Sequence, residues 1–165
     1  MMNPLFHYEN IIFIIVILFP NFILLVFKPT HTPSHSRKTM MWRMLGWIEH
    51  VGRFMTMFFC LLSPVSLDGT FKYVILALMV LVIGLYYIGW LRYITAGHDY
   101  RVLFEPLLKI PLPMALFPIL FFLLVAWLIQ SSEMGISILI FAVAHLLESN
   151  RIRQAFQFIH QKKDV

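Results

Sequence analysis

Long apolar runs separated by short polar segments make up most of the chain. Five runs lie at about residues 5–27, 45–64, 73–93, 111–130 and 131–147. A helix needs about 20 apolar residues to cross about 30 Å of hydrocarbon, and the first four runs come close to that length. The apolar part of the fifth run, Met134 to Leu147, covers only about 21 Å at 1.5 Å per residue. The pattern predicts an all-α, polytopic integral membrane protein.

The basic residues decide whether the fifth run crosses the membrane. With five spans, Lys72 stands alone on one side and eleven basic residues lie on the other. Those eleven are Lys28, Arg37, Lys38, Arg43, Arg92, Arg101, Lys109, Arg151, Arg153, Lys162 and Lys163. Because Lys and Arg collect in cytoplasmic loops, this asymmetry predicts five transmembrane helices with the N-terminus outside and the C-terminus in the cytoplasm.

Residues 148–165 have the pattern of an amphipathic surface helix. Apolar residues recur there at helical spacing among basic and amide residues: Ile152, Ala155, Phe156 and Ile159. We expect this tail to form a unit separate from the transmembrane bundle of residues 1–147, on the cytoplasmic face, and to favour anionic lipid. Two other sets are expected at the membrane interface, namely the apolar patch of Leu103, Phe104, Leu107 and Leu108 and the tryptophans Trp42, Trp47, Trp90 and Trp127.

Composition narrows the class of protein further. The chain has 165 residues, of which 60% are apolar and 13% charged, whereas soluble domains have about 45–50% and about 25%. A soluble nucleic-acid-binding domain is therefore excluded, and the bilayer of the plasma membrane is the expected surroundings. The single cysteine, Cys60, excludes an intrachain disulfide. The motifs of zinc proteases, serine hydrolases and P-loop ATPases are absent from the sequence.

The second span is the most informative segment. Its small and polar residues recur at steps of three and four, which places them on one helical face: Gly46, Glu49, Arg53, Thr56, Cys60 and Ser63. An ionised side chain at the centre of a span costs about 2.5–3.5 kcal/mol, so such residues usually pair and face protein or a wet cavity. Glu49 and Arg53 can pair within their helix. The alternative to a functional role is that this pair only locks the packing.

Polar residues from several spans fall at one depth. Counted from the span midpoints at 1.5 Å per residue, Glu49 lies about 8 Å and His145 about 7 Å toward the cytoplasm. Other spans contribute polar residues near the same level. The predicted cytoplasm-facing pocket comprises Glu49, His50, Arg53, His145, Asn21, Tyr86 and Tyr87.

The histidines leave two further hypotheses open. Imidazoles and carboxylates that converge can bind a metal ion, and the candidate ligands are His50, His145, Glu49 and Glu148. Two histidines could also ligate a haem iron. A membrane histidine is more often hydrogen-bonded to a carboxylate or carbonyl than metallated, so neither cofactor is assigned.

Charged residues predict a rim at the cytoplasmic end of this pocket. The rim comprises Arg92, His98, Asp99, Arg101 and Glu148. Arginine suits anionic headgroups, although juxtamembrane charge that only enforces topology is the simpler interpretation.

Three functions remain open at this stage. The first is a pocket that binds or conducts an ion, proton or small polar solute, as a homo-oligomer or with a membrane partner, because five spans do not divide into two repeats. The second is an enzyme acting on a lipid or lipid-linked substrate, with Glu49 or His50 as general base and Arg53 or Arg92 holding the headgroup. The third is an accessory subunit without chemistry, whose polar face docks a partner helix.

Overall fold

The structure is a computed structural model that describes residues 6–32, 39–65 and 69–161, with side chains described as far as Gln157. Over these residues it is helical, with two isolated β-bridges and no strand. The predicted all-α class is confirmed. Within the described residues the main helices are α1 (Tyr8–Val26), α2 (Met40–Leu62), α3 (Thr70–Thr95), α4 (Pro113–Leu128) and α5 (Ser132–Gln161).

Three helices are long and apolar enough to cross a membrane. They are α1, α3 and residues Ser132–Gln157 of α5. Helix α4 is equally apolar in character but has only 16 residues. Helix α2 has 23 residues and carries Arg43, Glu49 and Arg53. Length and composition therefore support three to four spans, fewer than the five predicted.

The helices alternate in direction along the chain. The His7 amide donates to the Leu61 carbonyl at 2.7 Å, so the start of α1 lies beside the end of α2. Phe71 at the start of α3 contacts Trp127 at the end of α4. Arg151, late in α5, lies over the Trp42 ring, early in α2, with 4.9 Å between the guanidinium carbon and the ring centroid. Consecutive helices are thus antiparallel.

This alternation collects most of the described basic residues at one end of the bundle, which we call the basic end. It is formed by the ends of α1, α3 and α5 and the starts of α2 and α4. Its described basic residues are Lys28, Arg43, Arg92, Arg101, Lys109, Arg151 and Arg153. Lys72 lies at the opposite end. The predicted basic positions Arg37, Lys38, Lys162 and Lys163 lie outside the described residues.

Helix α5 runs without a break through the boundary predicted at residues 147 and 148. It is one helix of 30 residues. No Gly or Pro follows Gly135 within it, and Glu148 and Arg151 form an i,i+3 ion pair at 2.7 Å where the break was expected. The predicted span and the described part of the tail are therefore continuous in one helix. The side chain of Ile159, part of the predicted apolar stripe, lies outside the described residues.

The segment between α3 and α4 folds back onto the helices, so part of the predicted interface patch is buried. Gly97 and His98 adopt the left-handed conformation, with φ of 69° and 65°, which turns the chain after α3. The 3-10 helix Tyr100–Phe104 that follows buries Leu103, whereas Leu108 is 72% exposed. Among the predicted interface tryptophans, Trp90 is instead buried, because it lies on the face of α3 that points toward α4.

Candidate functional site

Helices α2 and α5 cross at very close range beside Gly52. A β-carbon built on Gly52 would lie 3.0 Å from the Cα atom of Phe141, so only glycine fits there without a shift. Thr56 and Cys60, one and two turns further along α2, are fully buried. Small residues every four positions let two helix backbones approach. The polar face predicted on this helix therefore packs against α5.

One turn before Gly52, three ionisable side chains form what we call the Glu49 cluster: Glu49, Arg53 and His145. The Oε1 atom of Glu49 accepts a hydrogen bond from Arg53 Nη2 at 2.5 Å and lies 3.1 Å from His145 Nδ1. Glu49 is only 8% exposed. An ionised Glu49 carboxylate can only accept this hydrogen bond, which requires a proton on His145 Nδ1, and the contact does not use His145 Nε2.

Phe141 supports the other two members of the Glu49 cluster. Its ring stacks on the imidazole of His145, with centroids 4.9 Å apart and planes 19° apart. The guanidinium carbon of Arg53 lies 5.4 Å from the same ring centroid. A cation over an aromatic ring gains about 0.5–2 kcal/mol, more when it is shielded from water. Arg53 and His145 therefore both contact the ring of Phe141.

A cavity of about 180 Å³ adjoins the Glu49 cluster. Arg53 and His145 line it, whereas Glu49 reaches it only through them. Its other polar lining residues are Asn21, Tyr86, Trp90, Tyr100 and Ser149. The remaining walls are apolar and include Ile17, Leu24, Met57, Leu103, Phe104, Met114, Pro118 and Phe122. The cavity thus joins all five helices.

Several hydrogen-bond donors line the cavity wall. The guanidinium of Arg53 has only donors, and the indole N–H of the buried Trp90 lies beside the Tyr86 side chain, with no hydrogen bond of good geometry among the described residues. The Tyr86 hydroxyl is a further donor on a side chain that is 3% exposed. A buried donor without a partner costs about 1–3 kcal/mol, which an occupant with oxygen acceptors would remove.

The structure brings most of the predicted pocket residues together. Asn21, Arg53, Tyr86 and His145 line the cavity, and Glu49 contacts two of them. His50 is exposed on the outer face of α2 and does not line the cavity, because it follows Glu49 by one residue and therefore points about 100° away around the helix. Tyr87 also lies outside, where its hydroxyl donates to the Val16 carbonyl at 3.0 Å.

The metal hypothesis has no geometric support in the described part of the chain. No group of three His, Cys, Asp or Glu side chains lies close enough together there to hold an ion. Of the four candidate ligands, only His145 and Glu49 meet. Glu148 is bonded to Arg151 and His50 faces outward, so the four do not converge. The same outward direction of His50 separates it from His145 as a pair of haem ligands.

Each rim residue contacts a charged or aromatic neighbour. The Nε and Nη2 atoms of Arg101 and its backbone amide donate hydrogen bonds to Asp99, and these hold the pKa of the Asp99 carboxyl below its usual value. Arg92 lies 3.5 Å from Glu105. His98 stacks on Phe27 with centroids 4.8 Å apart. The contacts of the rim therefore hold the segment between α3 and α4 against the ends of α1 and α3.

Three contributors were missed by the sequence analysis. Gly52 has a signal in the sequence, since Gly52, Thr56 and Cys60 are small residues four apart. Trp90 has none that separates it from an interface tryptophan. The side chain of Asn10 is fully buried and donates to the carbonyls of Cys60 and Ser63, both at 2.7 Å, at the end of α2.

No protein-family model, curated protein or solved structure matches this chain. Its chemistry is therefore deduced from its own residues. The Glu49 cluster can hold or exchange a proton, and the cavity beside it can accept a small molecule that has hydrogen-bond acceptors.

Proposed function

We propose that all five helices cross the plasma membrane, with the N-terminus outside and the C-terminus in the cytoplasm. The alternating directions of the helices support this topology, as does the collection of basic residues at one end. The charged residues of α2 do not oppose it, because Glu49 faces α5 and is paired. Cytoplasmic anionic lipid would meet the basic end.

We propose that the protein binds a small polar solute in the cavity beside the Glu49 cluster. The observation that carries this proposal is that two members of an ionisable cluster, Arg53 and His145, line a cavity together with the buried polar side chains of Tyr86 and Trp90. An engineered apolar cavity of about 150 Å³ holds benzene, so a space of this size suits a molecule about one ring across. The expected occupant carries oxygen acceptors.

The apolar core in the half of the bundle away from the basic end favours binding over conduction. Away from the basic end the core is packed with apolar side chains, and Val125, Leu128 and Ile138 are fully buried there. An ion or proton needs polar groups or water along its path through hydrocarbon. The described polar cavity residues lie between the middle of the bundle and its basic end.

A lipid-modifying enzyme is the second candidate, because Asn21 and Arg53 line the cavity and are also exposed on the outer surface of the bundle. His145 is then a better general base than Glu49, since its Nε2 atom is unused by the Glu49 contact and lies on a side chain that lines the cavity. Arg53 would hold the headgroup, whereas Arg92 pairs with Glu105 and lies outside the cavity. An accessory role needs an exposed polar face, and that face of α2 is packed against α5.

Thermal unfolding in lipid nanodiscs tests the binding proposal. The probes are benzoate, benzamide and benzoquinone, with toluene as a ring that has no acceptor. We expect at least one acceptor probe to raise the Tm of the parent, because a ligand that binds only the folded state stabilises it by mass action.

Variants assign that response to the cavity. Ala115→Leu, which places a larger side chain on the cavity wall, should abolish the response, whereas Gly46→Ala on α2, with open space around it, should retain it. Equal shifts in the parent and Ala115→Leu would contradict the proposal.

A further inference from the structure

We infer that the occupant enters the cavity from the bilayer, through a gap between the second half of α1 and α2, and is a single-chain amphiphile with a small acceptor-bearing head. This inference rests on the proposed binding function and names its ligand class. It follows from how α1 is held, where the cavity opens and what surrounds the opening.

Among the described residues, the hydrogen bonds that join α1 to α2 lie at one end of α1. The Asn10 side chain and the His7 amide bond to carbonyls at the end of α2. A 3-10 turn at Phe19–Phe22, which contains Pro20, then interrupts the helix. Beyond it, no hydrogen bond joins Ile23–Val26 to α2 within the described residues, and α1 is tied to α3 by the Tyr93 hydroxyl, which donates to the Phe27 carbonyl at 2.8 Å.

The cavity reaches the surface between these two segments. Leu18, Asn21 and Leu24 line it from α1, and Arg53 and Met57 line it from α2. Asn21 is exposed, and the Arg53 side chain is 38% exposed. Residues that line a cavity and are also open to the outside mark its mouth. The mouth therefore lies between the second half of α1 and the middle of α2.

The outer surface beside this mouth is apolar. Phe22 and Leu25 follow the mouth residues on α1 and are 59% and 73% exposed, and Phe54 on α2 is 62% exposed. In a membrane-spanning bundle such surfaces contact lipid chains, so the mouth opens onto hydrocarbon and not onto water.

The polarity of the site sets the ligand class. Donors line the cavity from the mouth inward, at Arg53, Tyr86 and Trp90, and exposed apolar side chains surround the mouth. A molecule that satisfies both regions has a compact head with oxygen acceptors and an apolar chain. Because the cavity holds about 180 Å³, a head of about one ring or a carboxylate fits, and a two-chain phospholipid does not.

Quenching of Trp90 fluorescence tests the route. In the variant Trp42→Phe/Trp47→Phe/Trp127→Phe, the remaining tryptophan is Trp90, which is 4% exposed and lines the cavity. The protein is placed in phosphatidylcholine vesicles, and the quenchers are 9,10-dibromostearate in the bilayer, dibrominated phosphatidylcholine in the bilayer and iodide in the water. We expect dibromostearate to quench at least twofold more strongly than either of the others.

A matched pair of variants on α1 locates the entrance. Asn21→Phe fills the mouth and should at least halve the quenching by dibromostearate. Leu25→Phe adds a ring one turn further along the same helix, on an exposed residue that does not line the cavity, and should leave quenching unchanged.

Three results would overturn the inference. Stronger quenching by iodide would show entry from water, and the binding proposal would survive it. Equal quenching by dibrominated phosphatidylcholine would show that lipid reaches Trp90 from outside without selection for one chain. If no quencher acts, the route is closed, and the nanodisc melting experiment, which uses water-soluble probes, decides separately whether the cavity binds.

Discussion

The crossing of α2 and α5 and the attachment of α1 represent opposite ways of holding a helix. At the crossing, Gly52 lies against the backbone of Phe141, and Glu49 bonds to His145 across the same interface. Helix α1 packs few side chains into the core, is joined to its neighbours by isolated hydrogen bonds, and leaves about half of its large side chains exposed. Dense packing resists movement because each displaced atom loses many contacts, whereas isolated hydrogen bonds can break one at a time.

The cavity lies at the boundary between these two regions. One wall carries Arg53 and His145, fixed by the crossing, and another carries Asn21, next to the 3-10 turn of α1. A binding site needs fixed groups for recognition and a movable wall for entry. The difference between the two regions therefore gives each side of the cavity a distinct role.

Removing the cation of the Glu49 cluster should have the largest effect on the rigid region. Arg53→Met leaves the buried Glu49 carboxylate with His145 as its remaining described partner and should cost about 3 kcal/mol of unfolding free energy. Unfolding in mixed micelles measures it. Combining Glu49→Gln with Arg53→Met should recover most of this loss. A double variant no more stable than the single one would show that the ion pair is not what the packing requires.

Adding one methyl group at the crossing should lower the unfolding free energy by somewhat less than Arg53→Met does. Gly52→Ala forces the backbones of α2 and α5 apart and should lower the unfolding free energy by about 2 kcal/mol. Gly46→Ala is the control, since nothing lies within 4 Å of its β-carbon position. The same unfolding assay applies. Equal effects of the two substitutions would mean that the crossing is not closely packed.

Removing the hydrogen bonds between the start of α1 and the end of α2 should have the next largest effect on the unfolding free energy. Asn10→Ala removes two hydrogen bonds to the final carbonyls of α2 and should cost about 1–2 kcal/mol. Hydrogen exchange should show faster exchange in α1 than in α5, because α1 loses its attachment while the crossing stays intact. Uniform acceleration through all helices would contradict the independence of the two regions.

The two hydrogen bonds that tyrosines of α3 donate to α1 should contribute differently to the unfolding free energy. Tyr93→Phe removes a hydrogen bond from a fully buried side chain and should cost about 1 kcal/mol. Tyr87→Phe removes one from a side chain that is 38% exposed and should cost about 0.5 kcal/mol. Unfolding of both variants side by side makes the comparison. The reverse order would place the main attachment of α1 at Val16.

Acid should weaken the rim slightly. The Arg101 hydrogen bonds lower the pKa of Asp99 in the folded protein, so the stability that Asp99 contributes is present above its unfolded pKa and is lost as the pH falls through its folded pKa. The Tm should therefore fall below about pH 4 more in the parent than in Asp99→Asn. Parallel pH profiles for the two proteins would show that this carboxylate does not contribute.

The sequence was sufficient for features that depend on periodicity within one helix. The spacing of Glu49, Thr56 and Cys60 placed them on one face, and that face is buried. It could not show that His145 meets Glu49, because that contact depends on the register between α2 and α5, nor that Trp90 points inward. The unbroken α5 also escaped prediction, because a drop in hydropathy after Leu147 does not require the backbone to change direction.

Because α5 is unbroken, a tilt of this helix about its crossing beside Phe141 would move its whole length. From there to Gln161 is about 30 Å of helix, so a tilt of about 5° at the crossing displaces the far end by about 2–3 Å. The part of α5 beyond the crossing contacts the cavity wall, since the ring centroid of Phe156 lies 5.9 Å from that of Phe104. Filling the cavity would then also displace the basic end of α5, so binding inside the bundle would be detectable at its surface.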